Sequence, residues 1–149
     1  MNILSVSNQP NCFNYIQALL KSFQTPKKIF IKKNFYQNKH KIALSLIKKQ
    51  ITQKNYILIS GTNSKDSFEK KVRKLFYSLN LPVFIILDST FNLQNRFTKD
   101  DFVKPLIFVN DTYAKKKLLK KKFLNKKVFN YGNVYLEQLL KKNKPSHNL

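Results

Sequence analysis

The stretch "QKNYILISGTNSKDSFEKKVRKLF", Gln53 to Phe76, decides how this chain folds. "NYILIS" is apolar at consecutive positions, the pattern of a strand buried on both faces rather than one side-wetted. Ser-Gly-Thr-Asn then breaks it. Ser64 stands where a helix N-cap belongs, and Phe68, Val72, Leu75, Phe76 and Leu79 follow at helical spacing among lysines. Strand, tight turn and amphipathic helix make one unit of an α/β sheet.

The same alternation extends in both directions. "NCFNYIQALLKSF" predicts a helix with Phe13, Ile16, Leu20 and Phe23 on one face and Asn11 as its cap, and "KKIFIKK" predicts a short strand. "KHKIALSLIKKQI" predicts a helix with Ile42, Leu46 or Ile47, and Ile51 inward. Downstream, "LPVFIILD" and "KPLIFVND" read as buried strands, separated by a polar, irregular segment from Ser89 to Val103. Asp111 is placed to cap the helix "TYAKKKLLKKKFL"; a weak strand "KKVFNYG" and a helix "NVYLEQLLKK" close the pattern. Strands alternating with helices predict a single α/β domain over residues 1–140. Its expected architecture is three-layered, a mostly parallel sheet with helices on both faces, flavodoxin- or Rossmann-like. Residues 141–149 read as a basic polar tail.

Charge is the strongest functional signal. Lys and Arg number 29 against 7 acids in 149 residues, a formal charge of +22. Such self-repulsion calls for a polyanionic partner, and nucleic acid is the expectation. Part of the composition follows AT-rich codons, which explains why lysine displaces arginine but not the surplus of positive charge. No apolar run is long enough to span a bilayer. The first twenty residues hold no Lys or Arg, unlike a secretory or organelle-import leader.

Chemistry is sparse. Cys12 is the lone cysteine, and neither His40 nor His147 has a partner at metal-ligand spacing, so no metal or cofactor is expected. Asp88 and Asp111 follow strands, where enzymes place acids, but cap and turn roles account for both. Asp100 and Asp101 read as a counterweight to Lys99 and Lys104. "SGTNS" has one glycine, too few for a P-loop or a dinucleotide fingerprint.

The basic clusters are the candidate site. Lys27, Lys28, Lys32, Lys33 and Lys39 interleave with Phe30, Phe35 and Tyr36. Further on, Lys116, Lys117, Lys120 and Lys121 form an outward stripe on a predicted helix, continued by Lys126 and Lys127. Such a stripe follows a sugar-phosphate backbone with little sequence preference. "FNLQNRF", Phe91 to Phe97, offers Asn92, Gln94, Asn95 and Arg96 to sugars and phosphates, while Tyr36, Phe91 and Phe97 are candidates to stack on bases.

"ALSLIKKQITQKNYILISGTN" resembles a segment of the ribosomal small-subunit protein two family, bacterial and organellar, in which a helix and a basic connection lead to an apolar strand ending Gly-Thr-Lys. Asn63 stands where the family has a basic residue. "NLPVFI" and "KPLIFVND" resemble later strands of that family, so the similarity spans Lys27 to about Leu140. The family's His- and Gly-containing amino-terminal motif, its Asn-His-Arg-Trp segment and its long helical hairpin are missing. The resemblance implies a shortened, non-catalytic ribosomal protein bound to ribosomal RNA and neighbouring small-subunit proteins. It implies a mitochondrial, organelle-encoded setting, with a bacterial cytoplasm as second choice. A rival resemblance joins "GTNSKDSFEKKVRKLFYSLNLPVFIILDSTFNLQNRF" to the amino-terminal half of sugar-nucleotide transferases of glycan biosynthesis. Asp88 and Arg96-Phe97 match, but Ser89 and Thr90 replace the His and Trp.

Overall fold

The computed structural model describes residues 2–21, 28–31, 40–52, 55–63, 68–123 and 127–142; the side chains of 28–31, 40–43 and 142 lie outside the description. The chain runs β1 (Asn2–Val6), α1 (Pro10–Lys21), β2 (Lys28–Ile31), α2 (His40–Ile51), β3 (Tyr56–Ser60) and α3 (Phe68–Ser78). It continues with β4 (Val83–Leu87), β5 (Leu106–Val109), α4 (Thr112–Lys120), β6 (Val128–Asn130) and α5 (Val134–Lys142). All strand pairs are parallel, and the six-stranded sheet has the order β2-β1-β3-β4-β5-β6. This is the expected three-layer α/β fold, in the flavodoxin-like winding whose order reverses between β1 and β3.

The alternation of side chains along each strand divides the core. Leu58, Ile85, Leu87, Ile107 and Val109 face α2, α3 and α4, whereas Ile57, Ile59 and Ile86 face α1. Val134 and Tyr135 of α5 close over this second layer, and Gln138 Nε2 donates to the Ala18 carbonyl of α1 at 2.9 Å. On that side a row of rings, Phe84, Phe108 and Phe129, runs across β4, β5 and β6 with centroids 5.9 and 5.7 Å apart. The outer end of the row is uncovered, with Phe129 42% and Tyr131 45% exposed.

β1 is a strand the sequence pattern did not announce. It lies in the middle of the sheet, Ile3 opposite both Lys28 and Ile57. "NILSV" has too few residues and too much polarity to signal burial, yet Ser5 is buried with Ile3, Leu4 and Val6. Helix details differ too. Pro10 opens α1, its missing N–H suiting the first turn, so Asn11 lies inside the helix rather than capping it. In α2, Ile47 and Ile51 are buried and Leu46 is outward. In α3, Phe68, Val72 and Phe76 are buried as predicted, but Leu79 falls beyond the helix end, where Asn80 turns left-handed (φ 53) and the helical period no longer carries it inward. Asp111 does cap α4, its Oδ1 accepting from Ala114 N at 2.7 Å. Ser64 and Phe23 lie outside the described residues.

Between β4 and β5 no α-helix forms. Two 3-10 turns, Leu93–Asn95 and Lys99–Phe102, carry the crossover. Leu93 and Phe97 sink into the core, and Phe97 and Phe102 pack on Phe123 at 4.8 and 4.3 Å.

Candidate nucleic-acid interface

In open α/β sheets the place to look for a ligand is the crevice at the strand order reversal, here between the ends of β1 and β3. Gly61 lies there, its N–H donating to the Val6 carbonyl at 2.8 Å. A Cβ on it would come within 2.8 Å of Cys12 Sγ, 2.9 Å of Ser7 Oγ and 3.0 Å of Glu69 Oε1. Only glycine lets these side chains meet. Glu69 is fully buried; its Oε1 accepts from Asn8 N at 2.8 Å, and its Oε2 has no hydrogen-bond partner among the described residues. Burial pushes its carboxyl up to about 7, against the pull of the Asn8 amide and the Arg73 guanidinium. Burial also pushes the Cys12 thiol well up, leaving it a packed neutral group rather than a nucleophile. The crevice is thus lined by the chain's own buried atoms, with Thr62 and Asn63 buried as well.

Both arginines are interior. Arg73 is wholly buried and spreads its guanidinium over five acceptors: both Asp101 oxygens at 3.0 Å, Ser60 Oγ at 3.2 Å, the Gly61 carbonyl at 3.1 Å and the Arg96 carbonyl at 2.9 Å. Asp101 also accepts from Tyr77 OH at 2.5 Å and from Thr98 N and Oγ1 at 2.6 and 3.0 Å. Burial and the adjacent Asp101 carboxylate raise the Tyr77 phenol far above its ordinary value, fixing it as a donor. Arg96, expected among the phosphate contacts, is 4% exposed. It donates to the Phe91 carbonyl at 2.7 Å, to the Thr62 carbonyl at 2.5 Å and to Asp88 Oδ1 at 3.5 Å. That corrects its expected role: Arg96 secures the turn from beneath and presents nothing to a partner. Burial raises Asp88, with the Arg96 charge opposing. Asp101 departs from its expectation as well, since only Asp100 balances a surface lysine, Lys104 at 3.6 Å.

The sequence held signals for this network. Thr98 and Asp101 carry a capping box, each side chain meeting the other's backbone N–H. Two arginines persisting in a chain otherwise given to lysine mark positions where a planar five-donor fork is required.

The lysines divide into groups. Lys116, Lys120 and Lys121 are exposed around α4 while Leu118 is buried beneath, and Lys117 Nζ lies 4.8 Å from the centre of the Tyr113 ring. Lys117, Lys120 and Lys121 form one wall of a groove of about 340 Å³; Thr90, Asn92, Leu93 and Gln94 form the other. The helix stripe and the "FNLQNRF" segment, separate in sequence, are therefore brought together. Lys127 belongs elsewhere, its Nζ 3.5 Å from the Lys104 carbonyl beside a second groove lined by Asn80, Pro82 and Val103. Lys28 is placed in β2 by its backbone; Lys27, Lys32, Lys33, Lys39 and Lys126, like Phe35, Tyr36 and residues 143–149, lie outside the described residues. Among the described residues Lys104 alone of the lysines is ion-paired, so the groove's positive charge meets no carboxylate.

Of the stacking candidates, Phe97 is consumed by the core, whereas Phe91 is 74% exposed. Among the described residues no group of three His, Cys, Asp or Glu could hold a metal, and no helix is long and apolar enough to cross a membrane. Compared with known family models, curated proteins and solved structures, the chain matches none.

Proposed function

We propose that this protein is a non-catalytic, RNA-binding constituent of a small ribosomal subunit. It would be a shortened and divergent relative of the protein two family, working in translation in a mitochondrial ribosome, with a bacterial ribosome as second choice. The observation that carries the RNA reading is the groove of Lys117, Lys120 and Lys121 facing Asn92 and Gln94, its lysines ion-paired with no carboxylate among the described residues. Ammonium groups opposite amides suit a ribose-phosphate chain, and a net charge of +22 supplies long-range attraction to it. The family resemblance in residues 43–62 favours a ribosomal setting, and an α/β sheet covered on both faces agrees with that scaffold. Neighbouring small-subunit proteins belong to the same proposal; the uncovered aromatic row ending in Phe129 and Tyr131 has the composition such contacts take. The sugar-nucleotide reading is not preferred because the turn at Gly61 and Asp88, near which it would place its ligand, is engaged from within, Gly61 by Arg73 and Asp88 by Arg96.

The test is binding to structured ribosomal RNA across a salt series, with co-sedimentation on ribosomal subunits. Each lysine that neutralises a phosphate contributes about 0.7–0.9 to the slope of log K against log salt. Replacing Lys117, Lys120 and Lys121 with Gln is expected to lower that slope by about 2. Wild-type affinity that stays flat from low to physiological salt would overturn the proposal.

A further inference from the structure

The groove has room for a single unit of the polymer. At about 340 Å³ it falls at the small end of the range of roughly 300–1,000 Å³ typical of small-ligand clefts. One wall is cationic and one is amide-bearing. Thr90 and Asn92 line it; Phe91, between them in the chain, does not line it and stands 74% exposed beside it.

The turn carrying that ring is held from below at several points. Phe91 N donates to Ser89 Oγ at 3.2 Å, and its carbonyl accepts from Arg96 Nε at 2.7 Å. Asn92 takes the left-handed conformation (φ 51, ψ 43), which asparagine tolerates better than most residues, and its carbonyl accepts from Asn95 N at 3.0 Å. Leu93 is buried as the turn's plug, and Lys70 Nζ donates to the Asn95 carbonyl. A backbone pinned in this way has no freedom to fold Phe91 inward. Phe91 is left 74% exposed, whereas stacking on a base would cover its ring.

We propose that the groove and the exposed Phe91 beside it together receive one unpaired nucleotide of the bound RNA. Its base stacks on Phe91 outside the groove, and its sugar and phosphate lie within, met by the Asn92 and Gln94 amides and by Lys120 and Lys121. This rests on the RNA-binding reading and adds to it a preference for single-stranded or bulged RNA. Every base has a π-face, so stacking on Phe91 discriminates paired from unpaired far more than base from base.

The experiment is fluorescence anisotropy at fixed salt with two labelled probes, an unstructured octauridylate and a fully paired RNA duplex of equal length. Wild type is expected to bind the single strand more tightly. Phe91→Ala is expected to weaken the single strand by about 5- to 150-fold while leaving duplex affinity and the salt slope unchanged. Phe91→Tyr should restore most of the loss and Phe91→Leu little, separating stacking from simple apolar contact. Phe91 is exposed, so these variants leave the core intact, which circular dichroism verifies. If both probes bind with a lysine-dependent salt slope and Phe91→Ala changes neither or both equally, the nucleotide pocket is refuted and the RNA reading survives. If neither probe nor ribosomal RNA binds wild type, the RNA reading falls and the pocket with it.

Discussion

Glu69 gives the sharpest test of the packed crevice. The substitution is Glu69→Gln, which keeps an oxygen for the Asn8 amide and removes the ionisation. In the folded chain burial lifts the carboxyl from 4.5 to about 7. Below about pH 4.5 it is protonated in both folded and unfolded chains, and folding gains or loses nothing. As pH rises toward 7 the unfolded chain sheds the proton while the folded one retains it, so wild-type stability falls; above 7 the penalty is constant. From 4.5 to about 7 is a free-energy difference of roughly 3 kcal/mol. The Glu69→Gln variant carries no such penalty. Urea unfolding of both proteins at pH 5 and pH 8 should show the variant gaining about 2–3 kcal/mol relative to wild type between the two, part of the full difference being already expressed at pH 5. Asp88, which also titrates at a raised pKa and repels Glu69, is present in both proteins and largely cancels from the difference. A stability difference that stays constant within about 0.5 kcal/mol would refute the claim that burial raises the Glu69 carboxyl.

Arg73→Lys conserves charge but replaces a fork that reaches five acceptors with one ammonium; a loss on the order of 3 kcal/mol is expected in chemical denaturation, with Asp101→Ala falling in the same range. Gly61→Ala places a methyl within 3.0 Å of three side-chain atoms and should cost about 1–3 kcal/mol; adding Cys12→Ala should return part of that loss, so the double variant is more stable than additivity predicts.

The sequence disclosed the sheet because its strands are unbroken apolar runs. "YILIS" and "VFIIL" carry five residues each without a charge, and one face of α3 repeats cleanly at Phe68, Val72 and Phe76. It did not disclose β1, because five residues with Asn2 and Ser5 among them resemble any coil near a terminus; only pairing on both edges makes them central. For the site, the lysine stripe was visible and its partner segment was visible, but not that they face one another. That juxtaposition is made by the crossover from Asp88 to Lys104, which follows neither a helical nor a strand period. It is positioned by hydrogen bonds that span 23 to 34 residues of chain. Arg96 misled for a related reason. A cation in a polar loop reads as surface, and nothing local says that Thr62, 34 residues earlier, accepts its hydrogen bond.

The two kinds of cation in this chain divide its work. Arginine donates in five directions at once, so a single residue organises Asp101, Ser60, Gly61 and the Arg96 carbonyl without leaving acceptors unpaired. Lysine is a strongly hydrated point charge whose burial is expensive, and it stays outside, where neutralising a phosphate asks for charge and not for geometry. The crossover couples them: Arg73 grips it through Asp101, Arg96 grips it through Phe91, and the residues so held form the wall opposite Lys117, Lys120 and Lys121. The network reaches the sheet only through β3 and α3, by way of Ser60, Gly61 and Arg73, so releasing the crossover at Asp101 removes the wall of the groove while the other three connections are untouched. A variant such as Asp101→Ala, studied under conditions where it remains folded, should keep its surface lysines and its salt slope but lose the distinction between single-stranded and paired RNA.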